Sequence, residues 1–372
     1  MTIHPRFNCR HFCGDRPCAP HKQSGVVCAS DCPGFSPHGE RILIVKLGAP
    51  GDVLRTTCIL PELKKAYPQS SLHWLTRPEA VPLLTGNPLV DEIVPLDCEL
   101  LPRLLVEEFD RVLCLDNSAD AGRLAELCQA PVKRGFGCNA RGQVRPLNTE
   151  AQEWFLMGLS DPLKQANRKS YPQIVHEIAG LPWTGQTPIL ALSEAEKYFA
   201  RQFAKHHGLD GQRQIIGLFT GAGSRWKGKN WPESHWVGLI ELLLEQAGGE
   251  LLLLGGPNEV ERNGRLLSRF AGRVVDSRCD NSLREFVALV GLCDVLVTAD
   301  TLALHVATAQ QKNVVVLVGP TSAAEIELYG RGMIVGVSQP CRCYYQPTCD
   351  SQPPCMASIS PQEVLEAVLS LR

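Results

Sequence analysis

Three short stretches hold the side chains that could do chemistry. Residues 41–56, RILIVKLGAPGDVLRT, place a carboxylate, Asp52, directly after a turn made of Gly48, Ala49, Pro50 and Gly51. Glycine there lets a substrate approach the backbone closely, and a carboxylate at such an edge is placed to take a proton from a hydroxyl. An Asp at the start of a helix can equally serve only as its cap, and the local sequence leaves both readings open. Residues 220–231, TGAGSRWKGKNW, set Thr220, Gly221, Ser224, Arg225, Lys227 and Lys229 around a glycine-rich turn. Free backbone N–H groups, a helix N-terminus and a nearby lysine make a diphosphate cradle, whereas the bland alternative is a solvated basic loop. The G-x4-G-K-[ST] spacing is absent, so this is not a Walker A loop. The third stretch is Asp300-Thr301 followed by His305. Thr301 can cap a helix whose N–H groups meet a phosphate, Asp300 can accept sugar hydroxyls, and His305 falls on the same face one turn later. Gly319-Pro320-Thr321-Ser322 forms a further loop of the same kind.

Each stretch follows an apolar run that reads as a buried strand. Ile42–Val45, 72–75, 92–96, 111–115 and 133–136 are expected strands of a first α/β unit, with residues 53–67 a helix that Pro61 kinks. Residues 148–207 read as mostly helical. The alternation restarts at 215–219, 250–254, 295–298 and 314–318, with helices at 236–246 and 283–291. Strands alternating with helical patterns mean parallel sheets with right-handed crossovers. Two doubly wound halves facing a cleft follow, with ligands beyond the carboxyl ends of the strands. The first half presents an acid and the second presents cations and helix N-termini. That division suits transfer of a group from a diphosphate donor held by the second half to an acceptor held against Asp52.

The 372-residue chain is long enough for two domains, and its 44% hydrophobic and 20% charged residues are those of a soluble globular protein. A net charge of −2 gives no field for nucleic acid or an acidic membrane, and no apolar run approaches transmembrane length. With no signal-peptide pattern at the polar N-terminus, a cytoplasmic location is expected. Sixteen cysteines are many for that compartment, where metal is favoured over disulfides. Nine fall in two clusters: Cys9, Cys13, Cys18, Cys28 and Cys32 before the first strand, and Cys341, Cys343, Cys349 and Cys355 near the end. The first segment has no core of its own and calls for a staple.

The set KLGAPGD, GNPLVDEIVPLD, GAGSRWKGKNWP, LLLLGGPNE, DTLALHVATA and GPTS resembles glycosyltransferase family 9, the ADP-heptose heptosyltransferases, over about 41–330, with a fitting closing helix at 361–371. The resemblance implies the GT-B fold, two Rossmann-like domains around a cleft, and inversion at the anomeric carbon with no catalytic metal or cofactor. It divides the chain into a Cys-rich extension (1–40), an acceptor domain (41–190), a donor-nucleotide domain (191–338) and a Cys finger with the closing helix (339–372). By resemblance Asp52 is the general base and Lys229 neutralises the donor diphosphate. Asp300, Thr301 and His305 match the loop that contacts donor phosphate and sugar, and Gly51, Thr220, Gly221, Ser224 and Arg225 complete the expected donor site. Leu302 stands where the family often has Gly. The opening cysteines are similar to those of a subset of the family, which makes Cys9, Cys18, Cys28 and Cys32 the expected ligands of a structural zinc or iron. Autotransporter heptosyltransferases, a related branch, hold iron in a Cys finger, so Cys341, Cys343, Cys349 and Cys355 form a second candidate set.

The implied donor is ADP-heptose and the implied acceptor the lipopolysaccharide core, with peripheral contact at the inner membrane. A protein acceptor is the variant that the Cys finger suggests. A sugar-nucleotide epimerase on the same fold is the alternative enzyme, and it would need acids on both sides of the cleft. A Cys-rich nucleic-acid-binding module is disfavoured by the lack of a basic stripe. Arg77, Asn117, Arg134 and Arg141 are candidates for binding the acceptor.

Overall fold

Strand β1 (Arg41–Val45) is the centre of the first sheet, with Ile42, Leu43, Ile44 and Val45 wholly removed from solvent. A run buried on both faces has no polar alternation, which is why the sequence shows unbroken branched residues there. In the computed structural model, residues 3–209, 211–223, 226–337 and 343–371 are described. Around β1 lie β2 (Ser71–Thr76), β3 (Glu92–Pro95), β4 (Arg111–Cys114), β5 (Val132–Cys138) and β6 (Val144–Pro146), in the order β3-β2-β1-β4-β5-β6. All pairings are parallel except β5 with β6.

The second sheet repeats the plan. It contains β7 (Ile215–Phe219), β8 (Glu250–Leu254), β9 (Val275–Asp276), β10 (Val295–Ala299), β11 (Asn313–Val318) and β12 (Gly332–Gly336), ordered β12-β11-β10-β7-β8-β9 and parallel throughout. In each sheet the strand order reverses between two neighbours, β1 and β4 in one, β7 and β10 in the other. Ligands of doubly wound sheets bind at such switch points. The loops after β1, β7 and β10 are the three stretches read from the sequence as chemical.

The expected strands lie within about two residues of their observed bounds, while the short edge strands β6, β9 and β12 carry too weak a pattern to be read. The expected helix over 53–67 is divided: Pro50–Thr56 is α-helical, residues 57–59 tighten to a 3-10 turn, and Leu60–Ala66 resumes. Pro61 has no N–H, and its ring crowds the carbonyl four residues earlier, so the chain changes pitch just before it.

The domains meet through packed helices. Leu54, on the Pro50–Thr56 helix, shares a core with Ala303 and Leu304 of the Leu302–Ala309 helix from the second domain. Away from the cleft, Arg284 pairs with Glu196 at 2.6 Å and donates to the Pro82 carbonyl of the first domain at 3.0 Å. The closing helix Pro361–Ser370 buries Val364, Leu365 and Val368 in the core of the second domain with Trp231 and Trp236. The Cys-rich N-terminal segment lies along the edge of the first domain, where the Arg10 guanidinium donates to the Gln69 and Ser70 carbonyls.

Candidate active site

Asp52 sits in the first turn of the Pro50–Thr56 helix, two residues inside it, with Ala49 at the cap position. It is therefore not the cap. Its carboxylate faces Arg55 one turn on, Oδ1 to Nη2 at 2.8 Å, and stays about one-third exposed toward the cleft. Arg55 is stacked 3.5 Å above the Tyr171 ring. The Tyr171 hydroxyl lies 2.6 Å from Thr56 Oγ1, which donates to the Asp52 carbonyl. Both ends of Asp52 are thus held by one network. Burial pushes the Asp52 pKa up, but Arg55, Lys46 and His305 more than offset this and leave it below the ordinary value. An ionised carboxylate only accepts, as a general base must.

The loop after β4 completes this wall. Asp116 Oδ2 accepts from the Leu47 N–H at 3.1 Å and lies 4.0 Å from the Lys46 ammonium, which donates to the Leu115 carbonyl at 3.0 Å. A side chain at Gly48 would come within 3.2 Å of Asp116 and 3.4 Å of Asp52, so glycine leaves both carboxylates open to the cleft.

Across the cleft, Lys229 ends the 3-10 turn Lys227–Lys229, which Trp231 anchors by donating from its buried Nε1 to the Ile359 carbonyl at 2.9 Å. Lys229 Nζ lies 2.8 Å from Asp300 Oδ2 and donates to the Asp300 carbonyl at 3.0 Å. Thr321 Oγ1 donates to the same carboxylate oxygen at 3.0 Å. Burial opposes the charge of Asp300, yet Lys229 and His305 outweigh it and hold the carboxyl well below the usual range. Thr301 is the N-cap of the Leu302–Ala309 helix, its hydroxyl accepting from the Ala303 N–H at 3.2 Å, in agreement with the cap its position in sequence suggests.

His305 stands at the junction. A Cβ on Gly51 would lie 2.6 Å from its Cδ2, so glycine at 51 is what allows the two domains to touch here. Burial, then the charge of Arg55, lower its pKa to about 4, against the pull of Asp300 and Asp52. At neutral pH it is a neutral hydrogen-bonding ring rather than a counter-charge.

These groups line one cleft cavity of about 680 Å³, which includes Gly51, Asp52, Arg55, Lys229, Asp300, Thr301 and His305. Thr220 and Gly221 lie behind its wall. Thr220 Oγ1 is spent on Asn263 Oδ1 at 2.7 Å, and Gly221 packs on the Glu259 carboxylate, leaving Ala222, Gly223 and Trp226 at the surface of the cleft. Ser224 and Arg225 lie outside the described residues. Of the candidates for the acceptor only Asn117 lines the cavity. Arg77 pairs with Asp120 at 3.4 Å, and Arg134 is held by Ile178 and Glu150. Arg141 sits in the exposed turn closed by Asn139.

Several lining residues escaped the sequence reading. Arg55 could have been found from its spacing one helical turn after Asp52. Glu259 lies in the quoted GGPNE run; its Oε2 accepts from the Gly256 N–H at 3.0 Å, and burial raises its pKa. Lys46, Tyr171, Lys164, Glu325 and Tyr345 carried no local signal.

Among the described residues, the cysteine sulfurs that gather are those of Cys343, Cys349 and Cys355, all within 4.8 Å of one another. The Cys349 pKa falls to about 7: burial raises it, but donors from the Cys355 and Ser351 backbone outweigh that. Three thiolates suit zinc or iron, which would take a fourth ligand. Cys341 lies outside the described residues. The sulfurs of Cys9, Cys18, Cys28 and Cys32, the set expected at the N-terminus, are not drawn together in the same way among the described residues. Other contacts hold that segment. Cys9 bridges Pro37 through its backbone, Cys28 Sγ turns to the His4 carbonyl at 3.5 Å, and Arg6 stacks on Phe35.

Two doubly wound domains with their switch points facing one cleft make up the GT-B fold. The family profile described as "Glycosyltransferase family 9 (heptosyltransferase)" matches residues 98–352, and the chain belongs to that family. It is 25% identical over 312 residues to lipopolysaccharide heptosyltransferase 2 of Escherichia coli K12, covering 76% of this chain and 83% of that protein. The crystal structure of a family 9 glycosyl transferase from Veillonella parvula superposes with a TM-score of 0.72 at 20% identity, covering 89% of this chain and 97% of the other. The dodecameric iron-containing heptosyltransferase TibC, in complex with ADP-D-beta-D-heptose, superposes with a TM-score of 0.56 at 14% identity, covering 90% and 77%.

Proposed function

We propose that this glycosyltransferase moves a heptose from ADP-heptose to a lipopolysaccharide-core acceptor, inverting the anomeric centre, with Asp52 as general base. The observation that carries this reading is the sharing of one cleft by the ionised Asp52 of the first domain and the Lys229–Asp300–Thr301 cluster of the second. The name of the E. coli relative supports the sugar and the acceptor, and the ligand of TibC supports the donor.

In this mechanism the acceptor hydroxyl gives its proton to Asp52 as its oxygen attacks the anomeric carbon from the face opposite the diphosphate. The bond from that carbon to the diphosphate oxygen breaks, and ADP leaves carrying the extra negative charge. Lys229, released in part from Asp300, and the N–H groups that open the Leu302–Ala309 helix stabilise this charge. Asp300 and Glu259 are placed to accept hydroxyls of the sugar and the ribose. No step requires a metal; a zinc or iron ion at Cys343, Cys349 and Cys355 would order the loop they share. Among the described residues no helix is long and apolar enough to cross a membrane, and a lipid-borne acceptor would be met peripherally at the inner membrane.

The test is acceptor-dependent ADP release from ADP-heptose and a truncated lipopolysaccharide, with Asp52→Ala as the variant. Turnover lost in the variant while ADP still binds supports the assignment. Turnover retained in the variant removes Asp52 as the base, and no release together with no donor-induced thermal shift removes the donor.

A further inference from the structure

Lys164 belongs to the first domain, on the short helix Asp161–Ala166 that follows the Ser160 cap. Its ammonium nevertheless ends among residues of the second domain. It lies 3.2 Å from Glu325 Oε1, and 4.0 Å above the centre of the Tyr345 ring. The pair is nearly closed off from water, the two side chains being 13% and 9% exposed. Tyr345 is fixed on its other sides. Its N–H donates to the Pro320 carbonyl at 2.7 Å, its hydroxyl accepts from the Ser322 N–H at 3.3 Å, and the same hydroxyl donates to Glu325 Oε1 at 3.4 Å. The edge of Trp226 meets its ring, and the Lys229 ammonium lies 5.2 Å from the Trp226 ring centre. One cation from the acceptor side thus closes on a carboxylate and a phenol ring that brace both donor loops, 226–229 and 319–322. Lys164, Trp226, Lys229, Ser322, Glu325 and Tyr345 line the same cleft.

A solvent-exposed ion pair would contribute little to such a junction, and salt would screen it. A pair taken out of water is different, because removing one member strands the other charge. The ammonium over an aromatic face adds a second attraction that ends when the domains part.

We propose that Lys164, Glu325 and Tyr345 form a latch across the cleft, in which Lys164 is a positioning residue that holds the donor loops in their ADP-binding arrangement against the acceptor domain. The proposal rests on the reading of the cleft as the donor site, so one readout is independent of ligand. Lys164→Met, Glu325→Gln, the double variant and Lys164→Arg would be compared with the wild-type chain by ADP titration and by the radius of gyration in solution scattering. The expected result is a loss of about tenfold in ADP affinity and a larger radius for each neutral single variant. The double variant should be no worse than either single, since coupled residues are not additive. Lys164→Arg should keep most of the affinity, and melting temperature should separate these effects from unfolding. Additive losses in the double variant, or single variants with unchanged radius, would overturn the latch. If the wild type binds no ADP, the donor reading fails, while the scattering series still decides whether the latch holds the domains together.

Discussion

Arg55 lies one helical turn beyond Asp52 with Nη2 2.8 Å from Oδ1, and its guanidinium is sandwiched between that carboxylate and the Tyr171 ring. The proposed base is thus held by a cation on its own helix, which fixes its direction and keeps it ionised.

Replacing Arg55 by Met should expose that role in the pH profile. Burial would then act on Asp52 with less opposition and raise its pKa from its present depressed value. A base works above its pKa, so the acid limb of kcat/KM should move toward neutral pH. The variant should lose activity as the pH falls at a higher pH than the wild type does. A profile with the same acid limb in both would count against the pairing as the control of Asp52.

Lys229→Met should act on the donor. A charge-assisted hydrogen bond contributes about 1.5–3 kcal/mol, which corresponds to a loss of about 10- to 150-fold in ADP affinity. Calorimetric titration checks this directly. Because the lysine would also stabilise the departing diphosphate, kcat should fall as well as KM rise.

Gly51→Ala should be costly although alanine is the better helix former. The new methyl would stand 2.6 Å from His305 Cδ2, and relieving that contact forces the two interface helices apart. Overpacking of this kind costs about 1–3 kcal/mol, measurable by denaturant unfolding, with a loss of turnover in parallel. Adding His305→Ala to Gly51→Ala should recover part of the stability, and no recovery would show that the contact is not the cause.

The cysteine cluster predicts bound metal near one per chain, measured by elemental analysis of protein purified without chelator. Metal uptake should weaken as the pH falls, because protons compete with the ion for the three thiols. Cys355→Ser or chelation should lower the melting temperature. ADP affinity should also fall, because Tyr345 lies two residues from Cys343 and braces the 319–322 loop.

Much of this protein is written in short runs of its sequence. The short apolar runs at 42–45, 215–219, 295–298 and 314–318 read as buried parallel strands, and the loops that follow them carry Asp52, Lys229 and Asp300 because ligands of such sheets lie at the carboxyl edge. Thr301 as a cap was readable from spacing alone, whereas spacing left Asp52 between a cap and a base, and the fold sets it inside the first turn rather than at the cap. What the folded chain decided were the contacts made between segments far apart in sequence. Lys164 meets Glu325, Tyr171 meets Arg55 and His305 meets Gly51 only after two sheets have set their helices face to face. Thr220 belongs to the glycine-rich turn expected at the donor site, and its hydroxyl is bonded to Asn263 of a distant helix. The two cysteine groups look alike in sequence, but among the described residues the sulfurs that gather are Cys343, Cys349 and Cys355, whose loop is pressed against Gly319, while the N-terminal segment runs along the edge of its domain. Period and turn chemistry are local and survive in the sequence; pairing across a cleft depends on the placement of whole sheets, and no single segment encodes that.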